Sequence, residues 1–513
     1  MSDALDRGIT VTEMAPMDQP IDVLPETTAA FVGRALRGPL NQPVLVHGFG
    51  EFCRRFGDVW SRSSLGPAAK QFFEHGGKNL YVVRVANHAR GAMICLPASG
   101  SALVLRAVEP GSTERIRAAV DYDGIDDESG DLFNLTLQRV EPGTGLVADQ
   151  EIFRRVSCLE DAEAFVGNRL ATSNLARIES PLPTHRPEAT SGMDKQYSVA
   201  YIEHAQAGSD GHELSDYDLV GSHRDECGLF ALEQVEHFDL LYLPPPGKCR
   251  DLGPASLLAA ERYCRQRGAM LVTDPEIDWV TPAKAIAGVR KRGIGSPNVL
   301  GYFPRMYSRR GAEDTALPVG SALAGLLCKL DRNHGPWQSL NHQDVGFNRD
   351  LVPAYEVDDD DERALSRQGL NVVARGHAGR AVVSSSVTMS RGSEEHRMFA
   401  ELPVRRLYLQ IVSAIDRGTR WAVFEKDDSR LAERVQSQVT AYLAAMANLG
   451  AFENDDFLVN CDAGVSKRED ALEHGVTILV RIQPLGGTKP ISFTLHQTVA
   501  GCRVTSTAFA PVI

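Results

Sequence analysis

The sequence predicts an α/β fold, of the α+β kind, whose core domain is split by a β-rich insertion. Three observations support this prediction. Apolar strand-like segments alternate with helical segments in the first two thirds of the chain, residues 89–196 contain only short strand-like pieces, and both ends carry strand-like stretches set apart from the rest. Nearly continuous apolar strands that alternate with helices are typical of a largely parallel sheet.

Length and charge restrict the class of protein. With 513 residues the chain has room for about three domains of roughly 150 residues each. The formal net charge of −13 argues against nucleic-acid binding, which needs an excess of lysine and arginine. No stretch approaches the roughly 18 consecutive apolar residues of a membrane span, so we expect no membrane insertion. The first ten residues, MSDALDRGIT, lack the apolar stretch of a secretory signal, which predicts that the chain stays where it is made or leaves by lysis.

The nine cysteines are scattered, and no two of them are closer than fifteen residues. This spacing excludes CxxC redox and zinc-ribbon motifs. We expect reduced, mostly buried thiols, while bridges between subunits remain an open alternative.

The core domain is predicted to be discontinuous, with residues 25–88 and 197–345 on either side of the insertion. Its strand-like segments are 81–85, 197–203, 240–244, 269–273 and 298–303. One helix between them has Pro254 near its start and Gly268 just after its end, the asymmetry expected of a real helix.

The inserted domain is predicted to span residues 89–196. Strand-like pieces such as SALVLRAV and LFNLTLQRV are separated by the turn sequences EPGS and EPGTG, and the segment ends in the proline-rich PLPTHRPEATSG. Short strands with frequent turns indicate a peripheral β-rich domain.

A C-terminal α/β domain is assigned to residues 346–490. Its clearest signal is a helix that Asp428 caps and that runs to Gly450. Apolar side chains recur along it at three- and four-residue spacing and are predicted to face the core: Leu431, Val435, Val439, Tyr442, Met446 and Leu449.

Two terminal arms complete the predicted organisation, at residues 1–24 and 491–513. In the first, Ile9, Thr10, Val11, Thr12 and Glu13 alternate like a strand ahead of a linker that contains three prolines. In the second, Ile491, Phe493 and Leu495 lie on one face of a strand whose other face is polar. A tethered strand without a neighbour must satisfy its backbone groups elsewhere, for example on the sheet edge of another subunit.

Several stretches approach enzyme motifs but lack residues that those motifs need. The turn Gly33–Pro39, GRALRGP, follows a strand, but Pro39 lacks a donor and no Lys-Ser/Thr pair follows, so we favour a basic turn over a phosphate loop. In KRGIGSPN, Asn298 stands where G-x-G-x-x-G needs its third glycine. No G-x-S-x-G occurs, and no cysteine–histidine pair fits a known nucleophile signature.

Three weaker candidates involve acids or a histidine. Asp274, Glu276 and Asp278 follow a strand and could hold a divalent metal, although helix capping is favoured. His223 and Cys227 could share a metal, but a surface helix is the preferred interpretation. The acidic run 358–361 is interpreted as a solvated connection. We therefore expect no catalytic residue, bound metal or cofactor, and a metal-dependent α/β enzyme remains a remote alternative.

Several stretches, taken together and in order, resemble the sheath proteins of contractile tails, the family shared by myophages, tailocins and related injection machines. The matching stretches are TTAAFVGRALRGP (27–39), FGEFCRRFG (49–57), FFEHGGKNLYVVRV (72–85), AVEPGST (107–113), GSDG (208–211), GLFALEQVEHFDLLYLP (228–244), PVGSALAGLLCKLDRNHGPWQSL (318–340), LSRQGLNVV (365–373) and the segment 405–443. The sequence departs from the family at Asp427, where asparagine is usual, at VVSSSVTM (382–389), where W-G-A-R-T is frequent, and in about a dozen additional C-terminal residues.

This resemblance implies a structural subunit rather than an enzyme. It implies hexameric rings stacked helically around an inner tube, assembly in an extended state, and contraction that drives the tube through a cell envelope. The implied partners are other copies of the chain, the inner tail tube protein, and the baseplate and tail terminator proteins, without nucleic-acid contact. Both arms would reach neighbouring subunits. The implied location is the virion, with assembly in the host cytoplasm; the sheath of a host-encoded injection system or tailocin is the alternative.

Overall fold

The structure is a computed structural model, and it describes residues 20–126, 130–141, 143–190, 200–247, 249–309, 316–376, 379–390, 397–425, 430–468, 471–487, 489–498 and 501–506. The strands are β1 (Thr28–Gly33), β2 (Pro43–Val46), β3 (Asn79–Arg84), β4 (Gly91–Ala98), β5 (Ser101–Pro110), β6 (Ile116–Asp121), β7 (Leu132–Val140), β8 (Val147–Ser157), β9 (Ala176–Glu179), β10 (Ile202–Glu203), β11 (Leu240–Tyr242), β12 (Met270–Thr273), β13 (Val299–Phe303), β14 (Met306–Ser308), β15 (Leu351–Pro353), β16 (Leu370–Arg375), β17 (Ala381–Val383), β18 (Phe452–Arg468), β19 (Ala471–Pro484), β20 (Ile491–Thr498) and β21 (Gly501–Ser506).

The α-helices are α1 (Phe49–Phe56), α2 (Leu65–Glu74), α3 (Val166–Leu170), α4 (Asp216–Val220), α5 (Pro254–Arg267), α6 (Pro282–Arg292), α7 (Gly320–His334), α8 (Asp359–Ser366), α9 (Leu402–Thr419) and α10 (Leu431–Asn448). Short 3-10 helices span Gly228–Gln234 and Arg420–Phe424.

An eight-stranded sheet forms the centre of the core domain, in the order β17-β16-β13-β12-β11-β1-β3-β2. The six inner strands are parallel, and β2 and β17 are antiparallel edge strands. Helices cover both faces: Ala29 and Phe31 pack towards α1, α2 and α7, whereas Ala30 and Val32 pack towards the α4–α6 side. Burial on both faces explains the continuous apolar strands, and the predicted α/β class is confirmed.

The inserted domain contains two antiparallel sheets, β4-β5-β9 and β10-β6-β7-β8, around one apolar core. Its C-terminal end lies later than position 196, because β10 pairs with β6 of the insertion and Gln206 bridges to Met93. The expectation that 197–203 is a core-sheet strand is therefore wrong for its described part. Of the described residues 200–203, Ile202 and Glu203 form a strand, at the edge of the four-stranded antiparallel sheet of the insertion.

The boundary expected at position 345 also shifts. β16 pairs in parallel with β13, and β17 pairs with β16, so residues up to Val383 belong to the eight-stranded sheet. The reason is the apolar segment LNVV at 370–373, which is fully buried as an inner strand. The C-terminal domain thus consists of α9, α10 and the antiparallel sheet β18-β19-β20-β21.

A buried ion pair joins the core domain to the C-terminal domain. Arg406 on α9 donates two hydrogen bonds to Asp331 on α7, one of them 2.7 Å long between Nη1 and Oδ1. Thr27, just before β1, donates its hydroxyl to the same carboxylate at 2.6 Å. Burial lowers the pKa of Arg406, but the paired Asp331 more than compensates, so the net shift is upward.

The cysteines are less buried than the sequence predicts. All nine cysteines are free thiols; Cys158, Cys264 and Cys328 are buried and Cys249 is exposed, so fewer are buried than expected.

Among the helices that the structure describes, none combines the length and apolar character needed to cross a bilayer.

Candidate assembly surfaces

The turn at residues 33–39 binds a cation of its own chain. The guanidinium of Arg84, at the end of β3, donates to the carbonyl oxygens of Ala35 (3.1 Å), Gly38 (2.5 Å) and Pro110 (2.7 Å). Burial lowers the pKa of Arg84 to about 10. A phosphate loop directs N–H groups at an anion, whereas this turn directs carbonyl oxygens at a cation. Arg84 thereby links this turn to Pro110 at the end of β5 in the insertion.

Asp274 and Glu276, which follow β12, have different hydrogen-bond partners. Tyr242 and Tyr302 each donate a hydroxyl to Asp274 at 2.7 Å, and the Gly320 N–H donates at 3.0 Å. Burial raises the pKa of the Asp274 carboxyl despite these donors. Glu276 instead accepts from Arg292 at 2.7 Å. Asp274 is thus held by the strands and helix around it as part of the core.

The remaining enzyme-like motifs also have structural partners. The Asn298 amide donates to the Ala269 carbonyl at 2.7 Å and accepts from Arg405 at 2.6 Å, deep inside the protein. His223 lies in a turn, so the expected surface helix there is wrong; the backbone N–H of Ser222 donates to the Cys227 sulfur at 3.2 Å.

The acidic run at 358–361 is a helix start, which corrects its interpretation as a connection. Asp358 accepts the Asp361 backbone N–H at 2.8 Å and caps α8. Acidic side chains are favourable at this end because the helix dipole and the free N–H groups present positive charge there.

The C-terminal helix α10 places most of its predicted stripe inside the protein. Leu431, Val435, Val439, Tyr442 and Met446 are buried against α9 and the β18–β20 strands. Leu449 differs from the expectation: it is 51% exposed, because the helix ends at Asn448 and the chain turns at Gly450. The expected cap Asp428 lies outside the described residues.

The strand expected to form the C-terminal arm is part of the chain's own sheet. β20 pairs with β19 on one side and β21 on the other, and its side chains Ile491, Phe493 and Leu495 are at most 2% exposed. Within one chain, the apolar face of these three residues packs on the core over α9. Their contact with a neighbouring subunit stays a prediction. Of the expected C-terminal arm, residues 499–500 and 507–513 lie outside the described residues, as do Ile9, Thr10, Val11, Thr12 and Glu13 of the N-terminal arm.

The C-terminal sheet has two edges that no other described strand covers. Among the described strands, β18 and β21 each pair on one side only. Apolar side chains are uncovered at both edges: Leu458 on β18 is 48% exposed and Val504 on β21 is 38% exposed. Such edges present unpaired backbone donors and acceptors and are surfaces on which a further strand can add.

A groove beside α10 marks the point where the N-terminal segment leaves the described structure. Ile21 is buried in the C-terminal core, and the Val23 carbonyl accepts from Gln410 at 2.9 Å. The groove has a volume of about 410 Å³ and is lined by Pro20, Ile21, Val23, Arg434, Ser437, Gln438, Ala441, Tyr442 and Ala445. The N-terminal segment is thus fixed to the same domain that carries the open sheet edges.

Taken together, the domains define a protein with a doubly covered α/β core, a peripheral β insertion and a C-terminal sheet with open edges.

No family model matches the sequence. Over 167 residues, 32% of this chain, it is 27% identical to a tail sheath protein of Vibrio phage KVP40. That match spans about a quarter, 24%, of the length of the phage protein.

Solved structures of sheath proteins share the fold over nearly the whole chain. The sheath tail protein from Listeria innocua superposes with a TM-score of 0.61 at 14% identity, covering 92% of this chain and 95% of that one. The sheath tail protein from Desulfitobacterium hafniense gives 0.54 at 15% identity, with 96% and 100% covered. The contracted helical sheath of the anti-feeding prophage gives 0.52 at 14% identity, with 95% and 98% covered. The chain has the fold of contractile sheath proteins, and the resemblance seen in its sequence is confirmed.

Proposed function

We propose that this protein is the sheath subunit of a contractile tail or injection machine. The observation that carries the proposal is the shared fold over 92% or more of the chain with sheath proteins of both kinds of particle. The enzyme-like motifs give indirect support to this proposal. Asp274, Asn298 and the 33–39 turn each form hydrogen bonds within the chain that account for their polar groups.

Copies of the chain assemble as stacked hexameric rings around an inner tube, with the baseplate and terminator proteins at the two ends. The sheath contracts and drives the tube through a cell envelope. No nucleotide is needed, since the energy is stored in the packing of subunits. The protein belongs to the particle itself and assembles in the cytoplasm of the producing cell.

The N-terminal arm links neighbouring copies. Residues 9–13 alternate as a strand does, and the chain emerges from the C-terminal domain beside the groove along α10. Such a strand contributes roughly four to six backbone hydrogen bonds to a sheet edge, at about 1 kcal/mol net each. The edges β18 and β21, which lie in the domain where the arm emerges, offer matching donors and acceptors.

Electron microscopy of the purified full chain and of a chain lacking residues 1–19 tests the proposal. The full chain should form tubes with sixfold end views. The truncated chain should melt at nearly the same temperature but form few or no tubes, because Ile21 and Val23, which pack on the domain, are retained. A full chain that never polymerises, and that has a metal-dependent activity abolished by Asp274→Ala, would establish the enzyme alternative instead.

A further inference from the structure

Two histidines and an aspartate meet at the C-terminal end of α7. His334 is the last residue of the helix, and the chain returns to place His342 and Asp344 beside it. The His334 Nε2 atom lies 2.9 Å from Asp344 Oδ2, and the His342 Nδ1 atom lies 3.7 Å from the same oxygen. Their candidate ligand atoms all lie within 4.8 Å of one another, and this is the one such group found in the part of the chain that the structure describes.

We propose that His334, His342 and Asp344 bind a divalent transition-metal ion of the zinc class. Two atoms that each lie about 2.0–2.1 Å from one zinc ion at a tetrahedral angle are separated by roughly 3.3 Å. The two distances to Asp344 Oδ2 lie on either side of this value. Two imidazole nitrogens and one carboxylate oxygen are also the donor set that zinc, cobalt and nickel accept, whereas calcium and magnesium prefer oxygen ligands alone.

Metal binding replaces two hydrogen bonds of the cluster. The Asp344 backbone N–H donates to the single lone pair of His342 Nδ1 at 3.3 Å, a long contact that a metal ion at this nitrogen displaces. The His334 Nε2 proton faces the Asp344 carboxylate, and a metal ion replaces that proton. The two rings lie close, with centroids 4.2 Å apart. Binding therefore requires small side-chain adjustments.

The loop that carries the ligands is anchored at several points. Gly335, with φ of +87°, turns the chain directly after His334, and its N–H bonds to the Asp331 carbonyl at 2.8 Å. Trp337 and Leu340 are buried, and Val345 is buried directly after Asp344. Ligands held on anchored backbone lose less conformational freedom on binding, which favours a defined site.

The surroundings leave one side open. The ligand side chains are 26–52% exposed, so water completes the coordination. The ammonium of Lys329 donates to the Asp344 backbone carbonyl at 3.5 Å. This charge weakens cation binding but does not occupy the ligand atoms.

Cobalt(II) titration of the untagged, metal-free full chain tests the site, because Co²⁺ bound by nitrogen and oxygen ligands in a roughly tetrahedral site absorbs strongly in the visible range. We expect one equivalent to bind and zinc to displace it. Loss of a residue that only hydrogen-bonds to a metal ligand weakens metal affinity about 10–100-fold. His342 is itself a proposed ligand, so His342→Ala should weaken cobalt binding at least about tenfold. Asp344→Asn, which keeps the shape of the side chain, should do the same.

The matched control is the double variant His88→Ala/His212→Ala, which removes another pair of neighbouring exposed histidines, with centroids 6.1 Å apart, that lies outside the cluster. The control should bind cobalt as the parent does. Unchanged cobalt binding in His342→Ala and Asp344→Asn, or an equal loss in the control, would overturn the assignment. The unfolding temperature without metal confirms that each variant is folded.

Discussion

The two sheets of this protein differ in how completely the chain covers them. The eight-stranded core sheet has helices on both faces and short antiparallel strands at both edges. The C-terminal sheet has one face on α9 and α10, a half-exposed polar face with residues such as Thr494 and His496, and two open edges among the described strands. Both sheets end in strands that pair on one side only, but only the core sheet is covered on both faces within one chain. We interpret the C-terminal sheet as the part completed by neighbouring subunits.

Replacing Val435 by aspartate should have the largest effect on stability. The side chain is 0% exposed beneath the C-terminal sheet, so the new carboxylate is buried without a partner. We expect a loss of at least about 4 kcal/mol in the free energy of unfolding, measured by urea denaturation. Thr440→Asp on the exposed side of α10 is the control and should change it by no more than about 0.5 kcal/mol. Equal effects in both variants would show that α10 is not packed as described.

The joint between the two domains should be nearly as sensitive. Arg406→Met leaves the Asp331 carboxylate buried without its cation, which typically costs about 3–5 kcal/mol. The double variant Arg406→Met/Asp331→Leu should recover much of that loss, because no unpaired charge remains. Arg375→Met, which removes an exposed pair with Glu356, should cost about 1 kcal/mol or less. Failure of the double variant to recover would indicate that Asp331 acts mainly through Thr27.

A smaller effect is expected at Asp274 in the core sheet. Because burial raises the pKa of Asp274 in the folded protein, the folded state holds a proton there more tightly than the unfolded state. The resulting stabilisation is fully present below the ordinary value of 3.8 and is lost as pH rises through the raised pKa.

Asp274→Asn should therefore differ from the parent by no more than about 1 kcal/mol at pH 7, and should gain less stability than the parent when the pH is lowered towards 4. Urea unfolding at several pH values measures both quantities, with the exposed Asp278→Asn as control. A large destabilisation at pH 7 would mean that the charged carboxylate is favourably paired, contrary to the raised pKa.

The sequence allowed local features and family resemblance to be predicted well. The α10 stripe follows from three- and four-residue spacing, and the helix at Pro254–Arg267 from its proline and glycine. Features that depend on distant partners were missed. β16 joins the core sheet only through β13, and Arg406 is 75 residues from Asp331. The His334–His342–Asp344 cluster was also missed, because it depends on the turn after α7 and fits no common metal-binding spacing.

Hydrogen–deuterium exchange on monomer and polymer tests the contrast between the sheets most directly. In the monomer, the amides of edge strand β21, Gly501–Ser506, should exchange faster than those of the inner strand β13, Val299–Phe303, since edge strands open more readily. On polymerisation, protection should rise in β21 or in β18 and stay unchanged in β13. Unchanged exchange at both edges in a polymer would contradict the account, because the C-terminal sheet would then be as complete in one chain as the core sheet.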